Sequence, residues 1–120
     1  MLILIVDDSR VMRHIVTRTL RQTGCGDHEF VEAGNGLAAL RVISSDAPDL
    51  VFSGWNMPEM NGIELLRALR NAGDQTEFGF VTSESSPEMR EIAMAAGARF
   101  LIAKPFTADA FSELMGELIS

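Results

Sequence analysis

Five short strand-like runs recur along the chain, 2–6, 29–32, 50–53, 78–81 and 99–103, mostly apolar except for the second, Glu-Phe-Val-Glu, and each followed by polar or turn-forming residues. The first and third are apolar at nearly every position rather than alternating. That is the pattern of strands covered on both faces, as in a parallel sheet. Between the runs, apolar residues return at helical spacing. Met12, Ile15, Val16, Thr19 and Leu20 form one stripe, stopped by Gly24. Leu37, Leu40 and Ile43 form a second after the Asn35-Gly36 turn, and Ile63, Leu65, Leu66 and Leu69 a third after Asn61-Gly62. Ile92, Ala93 and Ala96 are the expected buried stripe of a fourth, closed by Gly97. Phe111, Leu114, Met115 and Leu118 are that of a fifth.

Helix starts are marked in the sequence. Asp8 or Ser9 caps the first helix and Thr107 the last. Ser86-Pro87-Glu88 opens the fourth with a cap residue, a proline at the first position and an acid near the positive end. Met and Phe at these spacings read as core rather than as cofactor contacts. Gly79, inside the fourth strand, either weakens it or admits a close neighbour. Strand and helix alternating five times predicts an α/β fold, a doubly wound five-stranded parallel sheet with right-handed crossovers. Residues 1–120 show no repeat, low-complexity segment or linker, which predicts a single domain.

In such a sheet the carboxyl ends of the strands meet on one edge, where α/β proteins place their chemistry. That edge collects Asp7-Asp8, Gly54 to Met57, Thr82-Ser83 and Lys104-Pro105. Taken singly these residues are ordinary. An acid pair suits Mg²⁺ or caps a helix, a strand-end hydroxyl is usually structural, and a lysine before proline reads as a surface charge. Together at consecutive strand ends, two acids, a hydroxyl and an ammonium are what a phosphoryl group needs around it.

Charge and composition narrow the partners. A formal net charge of −7 argues against nucleic-acid binding through the overall field. The apolar opening is too short to span a membrane and lacks the features of a signal peptide, so a cytoplasmic protein with no membrane partner is expected. The lone Cys25 cannot form an internal disulfide and reads as a small residue in a Gly-Cys-Gly turn. Arg10, Arg13, Arg18 and Arg21 share one predicted helix with no acid between them, either a solvated face or a docking surface for an acidic partner. Lys104 is the only lysine, which points to a specific need for a compact ammonium. His14 and His28 fall off the strand-end edge, and no Ser/His/Asp or Cys/His arrangement and no glycine-rich phosphate loop appear, so the chain is not expected to be an enzyme.

The chain resembles the receiver domain of two-component response regulators, most closely the single-domain, CheY-like chemotaxis type. The resemblance covers essentially the whole sequence. It rests on Asp7-Asp8-Ser9-Arg10, on 55–62 (Trp-Asn-Met-Pro-Glu-Met-Asn-Gly), on Thr82 and on Lys104-Pro105-Phe106, each following the expected strand. The resemblance implies a flavodoxin-like (βα)5 fold with strand order 2-1-3-4-5. It implies that Asp7, Asp8 and the Asn56 backbone carbonyl are metal-site residues for Mg²⁺. By the same resemblance Thr82, Ser83 and Lys104 bind the phosphoryl group and act as switch residues. Asn56 and Glu84 are of the types that tune hydrolysis of the phospho-aspartate, and the bond before Pro105 is expected to be cis. A sensor kinase or downstream target is the implied partner, with helix four, strand five and helix five (residues 86–120) as its docking face.

The resemblance fails at its centre. The aspartate that takes the phosphoryl group falls at Gly54, and glycine has no nucleophile. Ser53 is not a substitute, because adjacent strand residues face opposite ways. With one carboxylate missing, Mg²⁺ binding is expected to weaken, and Lys104 is expected to turn to Asp8. Leu101 also departs, standing where chemotaxis-type relatives carry an aromatic that swings inward. Three readings follow: a receiver acting as a protein-binding module without phosphorylation, a phospho-receiver whose acceptor was replaced in this chain, and a small-ligand-binding α/β domain.

Overall fold

Continuous apolar strands need cover on both faces, and the fold supplies it. The computed structural model describes residues 1–23, 27–104 and 106–119. Five strands, β1 (Leu2–Val6), β2 (Glu29–Ala33), β3 (Leu50–Ser53), β4 (Glu77–Thr82) and β5 (Phe100–Ala103), pair in parallel in the order β2-β1-β3-β4-β5. The helices are α1 (Arg10–Arg21), α2 (Gly36–Asp46), α3 (Gly62–Asn71), α4 (Pro87–Ala95) and α5 (Ala108–Ile119). This is the doubly wound, flavodoxin-like receiver topology. The expected turn at Gly24-Cys25 and the bond to Pro105 lie outside the described residues.

The pleat decides which helix covers which face. Leu4 and Val6 of β1 point one way, with Val51, Phe78 and Phe80, into a core completed by Ala39, Ile43, Leu65, Leu66, Leu69 and Ala93 of α2, α3 and α4. Ile3 and Ile5 point the other way, with Leu50, Phe52 and Phe100, onto Val16 and Leu20 of α1 and Phe111 and Met115 of α5. A one-residue slip of β1 would exchange the two sets, so register and core composition fix each other. The caps behave as their residue types require. Ser9, not Asp8, caps α1 by accepting from the Met12 amide at 3.1 Å, Ser86 caps α4, and Asn61 forms a reciprocal capping box with Glu64. Thr107 Oγ1 accepts from the Ala110 amide at 3.3 Å.

Two helices are rotated from the expected stripe. Leu37 is 39% exposed and Ile92 42% exposed, so neither belongs to the core. In α2 the buried residues are Gly36, Ala39 and Ile43, and in α4 Ala93 alone. Gly36 packs against Met60, where a Cβ would clash, and Ala93 is fully buried. The larger neighbour, one residue and 100° away on the helix, is turned toward solvent.

Gly79 admits its register partner on β5. A Cβ built on Gly79 would run into the Phe100 ring, which packs over it and against Phe52 at a centroid distance of 5.1 Å. Gly79→Ala is therefore expected to lower stability by about 1–3 kcal/mol, the usual cost of overpacking. Urea unfolding checks this; an unchanged midpoint would show that the ring yields freely.

Candidate functional site

The strand ends are held together by backbone bonds that run one residue past the strands. The Asp7 amide donates to Ala33 O at 3.1 Å, Gly54 N to Val6 O at 2.8 Å, and Lys104 N to Thr82 O at 2.8 Å. These bonds bring Asp7, Asp8, Gly54, Asn56, Thr82, Ser83 and Lys104, with Trp55 and Val81, around one pocket of about 100 Å³. Trp55 closes one side, its ring 4.8 Å from that of Phe80. Leu101 is not in the pocket; it is 5% exposed, within the core beneath α4. His14 and His28 are also elsewhere, His14 on α1 and His28 before β2, at the opposite end of the sheet.

The acids are not equivalent. Asp7 is buried at 9% exposure, while Asp8 is exposed. Asp7 Oδ1 accepts from the Ser9 amide at 2.9 Å, and Asp7 Oδ2 lies 3.8 Å from Lys104 Nζ. A Cβ built on Gly54 would sit 3.0 Å from that same Oδ2. The Asp7 carboxylate thus borders the space that Gly54 leaves, and the ammonium approaches the same oxygen. This corrects the expectation that Lys104 turns to Asp8. Asp8, although it also lines the pocket, is the more exposed of the two acids, and the ammonium lies beside the buried one.

Burial pushes the Asp7 carboxyl above the usual aspartate range, and Asp8 adds to the shift. The Ser9 amide and the Lys104 ammonium oppose it but do not win. Among the described residues, no group of three His, Cys, Asp or Glu side chains comes together that could hold a metal ion.

Two features escaped the sequence. Arg13, expected on a face either solvated or open to an acidic partner, turns inward with its side chain 16% exposed. Its Nη1 donates to Asp7 O at 2.6 Å and its Nε to Glu32 Oε1 at 2.8 Å, tying α1 and β2 to the end of β1. The available signal was Glu32 one residue from the end of β2, beside the acid-bearing end of β1. Ser53 Oγ, fully buried, donates to Gly54 O at 2.8 Å, so the hydroxyl holds the loop backbone. Thr82, 4% exposed, accepts from the Glu84 amide at 3.2 Å and keeps its hydroxyl at the rim.

The raised Asp7 sets a pH dependence. Its folded pKa lies above its unfolded value, so the folded state keeps the proton longer as pH rises. Stability therefore falls as pH climbs through the window just above 3.8, and the loss persists at neutral pH. Asp7→Asn removes this term and is expected to raise stability at pH 7 by about 1 kcal/mol. The gain should shrink toward zero in acid. Urea unfolding at pH 7 and at low pH checks both; a destabilised Asn form at pH 7 would mean that the Lys104 contact outweighs burial.

Residues 3–115 match the family described as response regulator receiver domain. The chain is 38% identical over 120 residues to chemotaxis protein CheY-3 of Vibrio cholerae, covering 98% of this chain and 91% of the relative. It is 39% identical over 116 residues to chemotaxis protein CheY of Pseudomonas aeruginosa, covering 94% and 91%. A solved structure of chemotaxis protein CheY4 of Vibrio cholerae superposes with a TM-score of 0.84 at 31% identity, covering 97% of this chain and 96% of that one. The chain belongs to the response regulator receiver domain family and is CheY-like within it.

Proposed function

We propose that this chain, residues 1–120, is a single CheY-like receiver domain that signals through protein contacts without accepting a phosphoryl group at the end of β3. The family's place in two-component and chemotaxis signalling supplies the frame. The observation that carries the reading is Gly54. It lies among Asp7, Asp8, Thr82, Ser83 and Lys104 in one strand-end pocket, with no carboxylate of its own. Phosphoryl transfer to an aspartate needs a nucleophilic oxygen, and the nearest hydroxyl on β3, Ser53, is turned to the Gly54 carbonyl.

In this reading Gly54 occupies the acceptor position. Thr82, Ser83 and Lys104 keep the phosphoryl-binding and switch positions, with Leu101 in place of a mobile aromatic. Asp7, Asp8 and the Asn56 carbonyl keep the metal-site positions. Receiver domains generally bind Mg²⁺ at the phosphorylation site, but the donors here fit it poorly. Asp7 has one oxygen on the Ser9 amide and the other beside an ammonium, and Asp8 is the one remaining carboxylate. Weak or absent Mg²⁺ binding belongs to the proposal.

The output is binding of a sensor kinase or downstream target on α4, β5 and α5, the span of residues 86–120. A cytoplasmic location goes with that role. Without a covalent input, the population of active conformers changes only through ligands or partners that bind the conformers differently. The second reading, a phospho-receiver whose acceptor was substituted in this chain, is favoured by the pocket around Gly54, which keeps its acids, hydroxyl and lysine.

One comparison separates the two. The chain and its Gly54→Asp form are each incubated with a small phosphodonor and Mg²⁺ and weighed intact. The chain as it stands is expected to show no phosphoryl adduct; an adduct on it would sink the proposal. If Gly54→Asp gains Mg²⁺-dependent phosphorylation and quenching of Trp55, the pocket is competent and only the nucleophile is missing. The new Cβ would press on Asp7 Oδ2 and add a third acid. That form should therefore be about 1 kcal/mol less stable without metal and recover on Mg²⁺ addition.

A further inference from the structure

The four arginines of α1 do not act together. Arg13 turns to the strand-end pocket, as described. Arg18 and Arg21 join His14 and Thr17 at the i, i+3, i+4, i+7 spacing that places four side chains on one helical face. That face stands over β2, the outer strand of the sheet, paired only with β1. Between them runs an open groove of about 350 Å³, lined by those four residues, Phe30 and Glu32.

The groove is a concentration of unspent positive charge in a chain of net charge −7. α1 carries no acid anywhere along its length. Glu32, the one acid in the lining, is engaged by Arg13 Nε at 2.8 Å from outside the groove. Among the described residues, neither Arg18 nor Arg21 has a carboxylate partner. Arg21 instead lies with its guanidinium 5.1 Å from the centre of the Phe30 ring, a contact worth about 0.5–1 kcal/mol at an exposed site. An oxyanion would displace it readily.

We propose that this groove binds a small phosphate ester. The phosphoryl oxygens take donors from Arg18, Arg21 and His14, and the organic body lies against Phe30. Guanidinium forks match phosphate oxygens in geometry as well as charge. The volume falls within the range of small-molecule sites. A long acidic protein segment fits less well, because the groove is small and already carries an acid, Glu32, in its lining. The proposal is independent of what Gly54 does.

The test titrates AMP and, separately, inorganic pyrophosphate into the whole chain at about 0.15 M salt, followed by calorimetry and amide chemical shifts. Saturable AMP binding with a Kd of about 1 mM or below is expected, with shifts centred on 14–21 and 29–32. The double substitution Arg18→Gln, Arg21→Gln, on exposed helix positions, should weaken AMP by at least about tenfold. Phe30→Leu should weaken AMP about tenfold while leaving pyrophosphate unchanged. Lys104→Gln should leave AMP binding intact, separating this groove from an anion at the strand-end pocket. The proposal is overturned if AMP shows no saturable binding into the low-millimolar range. It is equally overturned if binding survives loss of both arginines but not of Lys104. A glutamate-rich peptide binding more tightly than either phosphate would assign the groove to a protein partner and overturn the ligand class.

Discussion

Parallel pairing is the constraint on which the rest of this molecule depends. Because β1, β3, β4 and β5 run the same way, their carboxyl ends must leave the sheet on one edge. The register then decides which residues face each other there. Val6 opposite Ser53 puts Asp7 beside Gly54, and Thr82 opposite Ala103 puts Lys104 next to the β4 hydroxyl. The register is itself held by the core, since Leu4 and Val6 serve one face and Ile3 and Ile5 the other. The chemistry of the edge is thus specified by apolar residues that never touch it.

Within that edge the balance of charge is unusual. A buried carboxylate, Asp7, borders the empty side of Gly54, and the only lysine of the chain approaches that same oxygen. The separation of 3.8 Å is long for a hydrogen bond, so the contact is Coulombic rather than directional. That is consistent with burial outweighing it in setting the Asp7 proton affinity. Asp7 thus has one oxygen bonded to the Ser9 amide and the other held only by a long ionic contact. The oxygen beside Gly54 is therefore the one with acceptor capacity left for a donor.

The fold was legible because strands, caps and helical stripes agreed, and because the strand-end residues stand in sequence next to the runs that deliver them. What stayed hidden involved choices between competing partners. Leu37 and Ile92 were expected inside because helical periodicity places a stripe only to within about one residue. The close approach made by Gly36 and Ala93 decided the rotation. Lys104 had two neighbouring acids to choose from, and burial, which sequence does not display, selected Asp7. Arg13 looked like one of four equivalent arginines until Glu32 and the Asp7 carbonyl drew it inward.

Those arginines show how one helix serves three purposes without conflict. Val16 and Leu20 close the core, Arg13 braces the strand-end pocket, and Arg18 with Arg21 faces the open groove at β2. The division follows from helical geometry: at about 100° per residue, position 18 points about 140° from 13 and about 160° from 16, while 13 lies only about 60° from 16, at the margin of the buried face. Arg13 is also the physical link between the groove and the pocket, holding a groove wall through Glu32 and the pocket backbone through Asp7. Both bonds come from one charged guanidinium, at 2.8 Å to Glu32 and 2.6 Å to the Asp7 carbonyl, and such charge-assisted bonds are stronger than neutral ones, so a single side chain fastens the helix, the outer strand and the end of β1 together.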